Sequence, residues 1–332
     1  MQGANGGLRH RRTVVQKLVI IVAMLGQLLI APLGASANDD GMYGPYGPQG
    51  PRLREQLWIL PSGDPALALR ATVFRPAAAV PRPLPLVVIN HGTSDLTRMS
   101  VSMPVFYWLS RWFVDRGYVV VLPQRRGHGA TGGPLAEAIG TCSKPDHVAS
   151  GLGAADDIEA VINYMARQPF IAPDRTIVVG ISTGGWASLA VASRNPVGVR
   201  AVVNFSGGRG GHAGGRRNAV CGERSLIEAA EIYGRTARVP TVWFYSRNDS
   251  YFGPKLARSM AQAWNGAGGL AALHLLPPYR QDGHDIASDR AGWDAWGGAL
   301  DEFLGSVNAS RIAAGSGSAG GRLLPAPLTA SN

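Results

Sequence analysis

The sequence is poor in cysteine and lysine and has no apolar run long enough to cross a bilayer. With only two cysteines, it has no Cys-x-x-Cys pair and no Cys/His cluster, so the common metal-binding motifs are excluded. Of its 32 basic residues 29 are arginine, and they are scattered rather than arranged in a stripe, so a net charge of +10 does not indicate a nucleic-acid surface. Neither a repeat nor a linker divides the central part of the chain. What remains is a globular composition, 45% hydrophobic, that suits one large domain.

The first 37 residues have the features of an export signal. Four basic residues precede an apolar run from Leu18 to Leu33, and Ala35-Ser36-Ala37 follows as a small-residue cleavage site. The run is shorter than the roughly 20 residues that span a bilayer, so we predict cleavage after Ala37 rather than a stable membrane anchor. The signal carries four of the +10 charges and no acid, which leaves +6 on the remaining chain. We expect a periplasmic or extracellular protein, by the general or the twin-arginine route.

The rest of the chain divides into three parts. Residues 38–53 are rich in Gly, Pro and Tyr and predict an irregular lead-in. Residues 54–305 contain alternating apolar patterns and form the predicted domain. Residues 306–332 are Ala, Gly, Ser and Pro without apolar periodicity, which predicts a disordered tail.

Eight short apolar runs in the domain predict strands, and helical patterns lie between them. Most of the runs are continuous rather than alternating, as expected for strands buried on both faces. The sequence therefore predicts an α/β fold with an eight-stranded, mostly parallel sheet, helices on both faces and a small loop and helix lid. The predicted strands are Gln56–Leu60, Leu67–Phe74, Leu86–Ile89, Tyr118–Leu122, Thr176–Val179, Ala201–Phe205, Thr241–Tyr245 and Ala272–Leu276.

The strongest local motif is Gly-Ile-Ser-Thr-Gly-Gly, from Gly180 to Gly185. It follows one predicted strand and opens a predicted helix, which is the context of a nucleophile elbow. Ser182 would then take a strained backbone conformation at a tight turn, where side chains at Gly180 or Gly184 would collide. An ordinary Gly-rich turn is the alternative. We predict that Ser182 is a nucleophile.

A serine hydroxyl needs a base and an orienting carboxylate, and in this kind of fold they follow the serine in the order acid, then histidine. Asp249 comes just after the strand Thr241–Tyr245, and His284 comes after the last strand. Both would lie at the carboxyl edge of the sheet, where sites in open α/β sheets form. We predict Asp249 as the acid and His284 as the base. The alternatives are a turn-forming aspartate and a solvated loop histidine.

The tetrahedral intermediate of acyl transfer needs two backbone N–H donors. One is expected from Thr183, directly after the nucleophile. The other is expected from Thr93, in the loop after the strand Leu86–Ile89, where His91 and Gly92 shape the turn.

With these motifs, the sequence from about Arg54 to Leu304 resembles the α/β-hydrolase superfamily, in the branch of dienelactone hydrolases, prolyl-oligopeptidase-type domains and bacterial secreted esterases. The resemblance implies a hydrolase without cofactor or metal that acts through an acyl-enzyme intermediate. Dienelactone hydrolases have cysteine where this chain has Ser182, so their substrate is not implied. The His-Gly-Gly-Gly pattern of one lipase branch is missing, and there is no room for the propeller domain of prolyl oligopeptidases.

Two stretches look like insertions that roof the site, Arg125–Ser150 and Gly207–Ala237. Each contains one cysteine. In an exported protein an even pair predicts a disulfide, here Cys142 to Cys221, although two ordinary buried cysteines are the alternative.

Three functions are compatible with these residues. The first is a hydrolase of small or medium carboxylic esters. The second is a serine peptidase or amidase of the prolyl-oligopeptidase branch, which usually needs an extra domain or an acidic site for the substrate amine. The third is a non-catalytic binding protein on a hydrolase scaffold, which the presence of all three catalytic residue types in order disfavours.

Overall fold

The computed structural model describes residues 41–77, 82–93 and 96–316. One compact unit begins at Tyr43 and contains the predicted domain. The predicted export signal lies outside the described residues, as does the predicted tail beyond residue 316.

Nine strands form the main sheet in the described part of the chain, in the order β1-β2-β3-β5-β4-β8-β9-β10-β11, and β6 and β7 form a separate hairpin. Strands β1, β2, β3 and β5 pair antiparallel to one another, and from β5 to β11 every neighbouring pair is parallel. The strands are β1 Gly44–Tyr46, β2 Gln56–Pro61, β3 Ala68–Phe74, β4 Leu84–Asn90, β5 Val119–Gln124, β6 Gly140–Thr141, β7 Lys144–Pro145, β8 Ile171–Ile181, β9 Val199–Phe205, β10 Thr241–Ser246 and β11 Ala271–Leu276.

The mostly parallel sheet confirms the predicted fold class, but it has nine strands rather than eight. The additional strand is β1, which lies in the lead-in that was predicted to be irregular and pairs with β2. Its three residues include Gly44 and Pro45, which are depleted in strands. Proline is tolerated at a sheet edge because no ladder donor is needed there, and composition alone therefore misses such a strand.

Helices cover both faces of the sheet. They are α1 Tyr107–Val114, α2 His147–Met165, α3 Thr183–Arg194, α4 Glu223–Thr236, α5 Pro254–Gly266 and α6 Trp293–Ser316. Trp112 of α1 and Trp296 of α6 belong to one buried apolar cluster, and Ile158 of α2, Trp186 of α3 and Met260 of α5 belong to the other. The sheet is therefore buried on both sides, as its continuous apolar strands predict.

The last helix corrects the predicted domain end. α6 continues to Ser316, so residues 306–316 are helical rather than part of a disordered tail. The helix continues from a segment anchored by Trp296 and Leu300, and alanine-rich sequence favours its extension. None of the helices in residues 41–77, 82–93 and 96–316 combines the length and apolar character of a membrane span.

Candidate active site

Ser182 occupies the turn between β8 and α3. Its backbone has φ 55° and ψ −121°, a conformation that L-residues rarely adopt. The Ser182 N–H donates to the carbonyl of Phe205 at 3.0 Å, and the Ser182 carbonyl accepts from the N–H of Gly208 at 3.2 Å. The end of β9 thus holds the strained turn on both sides, as a sharp strand-to-helix elbow requires.

Glycines surround this turn because no side chain would fit. A Cβ at Gly180 would lie 2.1 Å from the carbonyl oxygen of Gly184, and one at Gly184 would lie 2.2 Å from that of Asn90. A Cβ at Gly92 would lie 2.7 Å from the Cβ of Ser182. The three predicted turn glycines are therefore points of close backbone approach, and Gly92 places its loop directly against the serine.

His284 and Asp249 meet at the carboxyl edge of the sheet. Nδ1 of His284 is 3.0 Å from Oδ1 and 3.2 Å from Oδ2 of the buried Asp249. Oδ1 of Asp249 also accepts the N–H groups of Tyr251, at 2.8 Å, and Phe252, at 3.0 Å. Because an ionised carboxylate can only accept, His284 carries its proton on Nδ1 and keeps a lone pair on Nε2. This tautomer is the one that a general base needs.

The imidazole of His284 lies among aromatic rings. It stacks on Tyr251 with 4.2 Å between the ring centres, and the ring of Phe252 is 5.9 Å away. Its side chain is 11% exposed, so solvent reaches it only in part. The orientation of the ring is fixed by packing on one side and by Asp249 on the other.

The two predicted oxyanion donors lie side by side. The N–H of Thr93 donates to Oγ1 of Thr183 at 3.2 Å. Thr183 is the first residue of α3, where N–H groups have no partner within the helix and the helix dipole favours negative charge. The structure therefore brings Thr93, Thr183 and Ser182 together at one point.

A buried ionic cluster lies behind the loop that carries Thr93. Glu137 pairs with Arg125 at 2.8 Å and with Arg209 at 3.1 Å, and the side chains are 1–3% exposed. Burial by itself would raise the pKa of Glu137, but Arg125 and Arg209 outweigh it and hold that pKa well below its usual range. Burial, reinforced by Arg125, lowers the pKa of His91 well below its usual value, so His91 is neutral.

The predicted lid segments are joined covalently. Cys142, in the β6–β7 hairpin, is bonded to Cys221, just before α4, as an even pair of cysteines predicts. The Cys221 carbonyl also accepts a hydrogen bond of 2.9 Å from Nε2 of His147. Glu137 and Arg209 tie the same two segments together through their ion pair. The bond is consistent with an exported protein.

Sequence reasoning missed a group of polar residues beside His284. Asp282 accepts the N–H of His284 at 3.1 Å and the N–H of Ser250 at 3.0 Å, both on Oδ1. Burial alone would raise the pKa of Asp282, but the hydrogen bonds from Ser250 and from the His284 N–H outweigh it and lower that pKa. The Asp-Gly-His spacing is a readable turn signal, because an aspartate often accepts the N–H two residues later. The link to Ser250 joins residues 32 positions apart and leaves no local signal.

An open cleft of about 380 Å³ lies beside the Asp249 loop. Three cations line it, Arg217, Arg247 and Lys255, together with the acids Glu223 and Asp249. No group of His, Cys, Asp and Glu within the described ranges could hold a metal ion. His128 and His147 are buried and bound to neighbouring protein groups.

The sheet, the elbow and the edge loops define an α/β-hydrolase. Solved structures with the same fold include the acetyl xylan esterase from Paenibacillus sp. R4, with a TM-score of 0.53 at 14% identity over 80% of this chain and 87% of that one. Another is the acylaminoacyl peptidase of Pyrococcus horikoshii, with a TM-score of 0.52 at 17% identity over 70% of this chain and 38% of that one. At such identities the likeness establishes the fold alone.

The sequence comparison gives the family. Residues 65–258 match the X-Pro dipeptidyl-peptidase (S15) family, and the chain belongs to it. The uncharacterized protein YfhR of Escherichia coli K12 is 27% identical over 131 residues, which are 39% of this chain. The matched part spans about 40% of the length of that relative. The chain therefore belongs to the S15 family and has the α/β-hydrolase fold.

Proposed function

We propose that the protein hydrolyses small or medium carboxylic esters through an acyl-enzyme intermediate. Ser182 is the nucleophile, His284 the general base and Asp249 the acid that orients it. The observation that carries this proposal is the hydrogen bond between Nδ1 of His284 and the buried Asp249, at the sheet edge where Ser182 forms its strained turn.

The chemistry follows from these positions. Oγ of Ser182 forms a bond to the acyl carbon while its proton passes to Nε2 of His284, and the carbonyl electron pair moves to oxygen. The N–H of Thr183 binds this oxyanion, and the N–H of Thr93 joins it by turning from Oγ1 of Thr183 to the developing charge. When the intermediate collapses, the C–O bond to the alcohol breaks and the alcohol takes the proton from His284. A water molecule then repeats the sequence and releases the acid and free Ser182, so the reaction needs no cofactor.

The family membership makes a dipeptidyl peptidase the second candidate. Such an enzyme has to bind the free amine of its substrate, which calls for a carboxylate without a partner. Three carboxylates around the proposed site are engaged: Asp249 with His284, Asp282 with Ser250, and Glu137 with two arginines. Asp285 and Glu223 are exposed to solvent, where pairing with an ammonium group stabilises little. The basic lining of the neighbouring cleft also disfavours an ammonium group. These contacts support an ester substrate.

Two substrate series separate the candidates. Nitrophenyl esters of increasing acyl length test the esterase, and Gly-Pro-nitroanilide with and without a blocked amine tests the dipeptidyl peptidase. We expect turnover of the short esters and little turnover of either nitroanilide. Faster cleavage of the free-amine nitroanilide than of any ester would reverse the assignment.

Two variants serve as controls. Ser182→Ala has to abolish whichever activity is found, because otherwise a contaminating enzyme is responsible. Glu223→Gln removes the one acid of the cleft that does not already bind His284. If the enzyme recognises an amine there, this variant raises the KM for the free-amine nitroanilide and leaves the KM for esters unchanged.

We further propose that the protein works in the periplasm or outside the cell. The bond between Cys142 and Cys221 supports an oxidising compartment. Cell fractionation of a host that expresses the full chain tests this, with the N-terminal sequence of the exported protein expected to begin at Asn38. Retention of the full-length chain in the cytoplasm would contradict it.

A further inference from the structure

A chain of side-chain contacts connects the segment after β9 with the proposed base. Nε2 of His212 lies 2.8 Å from Oγ of Ser250. Oγ of Ser250 in turn hydrogen-bonds to Oδ2 of Asp282. Asp282 accepts the main-chain N–H of His284 at 3.1 Å. Three side chains thus join two loops that are far apart in sequence, and the last contact ends on the backbone of the base.

The direction of these hydrogen bonds can be worked out from the donors. Asp282 is ionised, because the hydrogen bonds that it accepts outweigh the effect of burial on its pKa. Its carboxylate can therefore only accept, and the single hydroxyl proton of Ser250 has to point to it. Ser250 is then left as an acceptor, so Nε2 of His212 carries the proton in this contact. His212 is held in one tautomer and one orientation.

A second route runs through stacked rings. His212 lies on Tyr251 with 3.6 Å between the ring centres and an angle of 11°, and Tyr251 stacks in turn on His284 at 4.2 Å. The N–H of Tyr251 donates to Asp249. Both routes begin at His212 and end at the His284–Asp249 pair.

Backbone contacts hold the segment around His212 in place, so His212 can fix the position of the groups that it contacts. We call residues 210–221 the lid hairpin. Gly211 pairs with Val220, and the N–H of Cys221 donates to Gly210 at 2.8 Å. The disulfide ties the end of the hairpin to Cys142. On the other side, the N–H of Asn218 donates to the carbonyl of Ser250 at 2.6 Å.

We propose that His212 and Asp282 are positioning residues, through which the lid hairpin sets the orientation of His284. The inference rests on the proposed role of His284 as the base. Neither residue touches the reacting atoms. Their contribution is to keep the imidazole in the geometry in which Nε2 meets the Ser182 proton.

Phenylmethylsulfonyl fluoride tests this without assuming a substrate. Oγ of Ser182 bonds to sulfur, the S–F bond breaks, fluoride leaves and the serine proton passes to His284, so the rate of labelling reports on the base. Intact-mass spectrometry follows the labelling. The labelling rate saturates with inhibitor concentration, so its plateau gives the rate of the chemical step and the half-saturating concentration reports on reversible binding. We expect His212→Ala to slow the chemical step by about tenfold, a size typical of one lost hydrogen bond, with binding changed less than about twofold.

Matched variants separate positioning from folding. The side-chain amide of glutamine can donate a hydrogen bond to Ser250 over a similar distance, so His212→Gln is expected to restore at least half of the wild-type rate. Arg216→Ala, in the same hairpin and on an exposed residue, is the control and is expected to label at the wild-type rate. Because His212 and Asp282 share the hydrogen-bonded route, adding His212→Ala to Asp282→Ala is expected to slow labelling by clearly less than the factor that His212→Ala loses alone. The thermal unfolding of each variant is measured in parallel.

Three results would overturn the inference. In the first, His212→Ala matches the wild type in the chemical step. In the second, the loss in His212→Ala appears in reversible binding instead. In the third, the effects of the two alanine substitutions multiply in full. If any of these occurs while the wild type is labelled at Ser182, the positioning role is wrong and the proposed hydrolase remains. If wild-type Ser182 is not labelled at all, the proposed triad fails and the inference fails with it.

Discussion

Arg125 holds His91 at two points. The main-chain N–H of Arg125 donates to Nε2 of the His91 ring at 3.2 Å, and Nη2 of the same residue donates to the His91 carbonyl at 3.0 Å. His91 directly precedes Gly92, which lies against Ser182. The turn that carries the proposed oxyanion donor is therefore anchored to a buried guanidinium, and the position of that guanidinium depends on Glu137.

The first prediction concerns this anchor. Glu137→Gln leaves Arg125 and Arg209 buried without a counter-charge, and breaking a buried ion pair in this way costs about 3–5 kcal/mol of the free energy of unfolding. Urea unfolding measures the loss. Glu231→Gln is the control, because Glu231 pairs with Arg235 at the surface and is expected to change stability by less than about 0.5 kcal/mol. Equal effects of the two substitutions would contradict the role of the cluster.

The second prediction gives the pH dependence of the same cluster. The pKa of Glu137 is lowered in the folded protein, so its contribution is fully present above the ordinary glutamate value of 4.5 and is lost as the pH falls through the lower folded value. The difference in stability between the wild type and Glu137→Gln is therefore constant from pH 7 to about pH 5 and shrinks in more acidic solution. Thermal unfolding across this range measures it. If the stability difference between the wild type and Glu137→Gln grows on acidification, the prediction is contradicted.

The third prediction identifies the acid of the triad. Asp249→Asn is expected to lower kcat by about three or more orders of magnitude, because an amide stabilises the wrong tautomer of His284 and cannot balance its charge. Ser182→Ala and His284→Ala are expected to be at least as severe, since a triad acts as a unit. Initial rates on the best ester give the values.

Two neighbouring acids provide the comparison for Asp249. Asp285 is exposed, and Asp285→Asn is expected to stay within about threefold of the wild type. Asp282→Asn can still accept the two N–H groups on Oδ1, so its loss is expected to be much smaller than that of Asp249→Asn. If either substitution is the crippling one, the acid has been assigned to the wrong residue.

The fourth prediction tests the close approach of the loop to the nucleophile. Gly92→Ala would place a Cβ 2.7 Å from that of Ser182, so the loop has to move and the Thr93 donor moves with it. We expect kcat to fall by about a hundredfold or more, the loss typical of one oxyanion donor. Gly298→Ala, in helix α6 where nothing lies within 4 Å, is expected to keep full activity and to gain up to about 1 kcal/mol of stability. Unchanged kinetics in Gly92→Ala would exclude this loop from the site.

The fifth prediction concerns the disulfide. Cys142 and Cys221 are 79 residues apart, and cross-linking so long a loop stabilises a fold by up to about 4 kcal/mol in the chain-entropy model. Replacing both by serine is expected to lower the free energy of unfolding by no more than this and to change the range of accepted esters more than the type of reaction. Chemical denaturation and the ester series provide the two readouts. Two free thiols in the exported wild-type protein would refute the bridge.

Much of the fold could be predicted because its signals are local. All eight strands predicted from apolar runs occur, since strands buried on both faces need continuous apolar sequence. Seven agree with their expected bounds within two residues, whereas β8 begins five residues before its predicted start. The elbow was also readable, because its glycines follow from steric contacts within a short turn. Strand β1 was missed, since a three-residue edge strand with glycine and proline has no periodicity to detect.

The parts of the site that the sequence did not predict depend on contacts between distant segments. Glu137 has no local pattern that announces its pairing with Arg209, 72 residues later. The contact between His212 and Ser250 spans 38 residues, and its partner Asp282 is a further 32 residues along. The tertiary structure determines such polar pairings, because a buried donor or acceptor forms its hydrogen bond with a group that folding brings close to it.

The place of β11 in the sheet has a consequence for how the protein would inactivate. Within the described residues β11 is the outermost strand of the parallel half and pairs with β10 alone, and most of its residues are only partly buried. Peripheral elements of this kind open at a lower free energy than the core. Since His284 follows β11 along the chain, detachment of this one strand would carry the proposed base away while the remaining sheet stays intact. Heat would then abolish turnover at temperatures where circular dichroism still reports a native protein, and cooling would restore it.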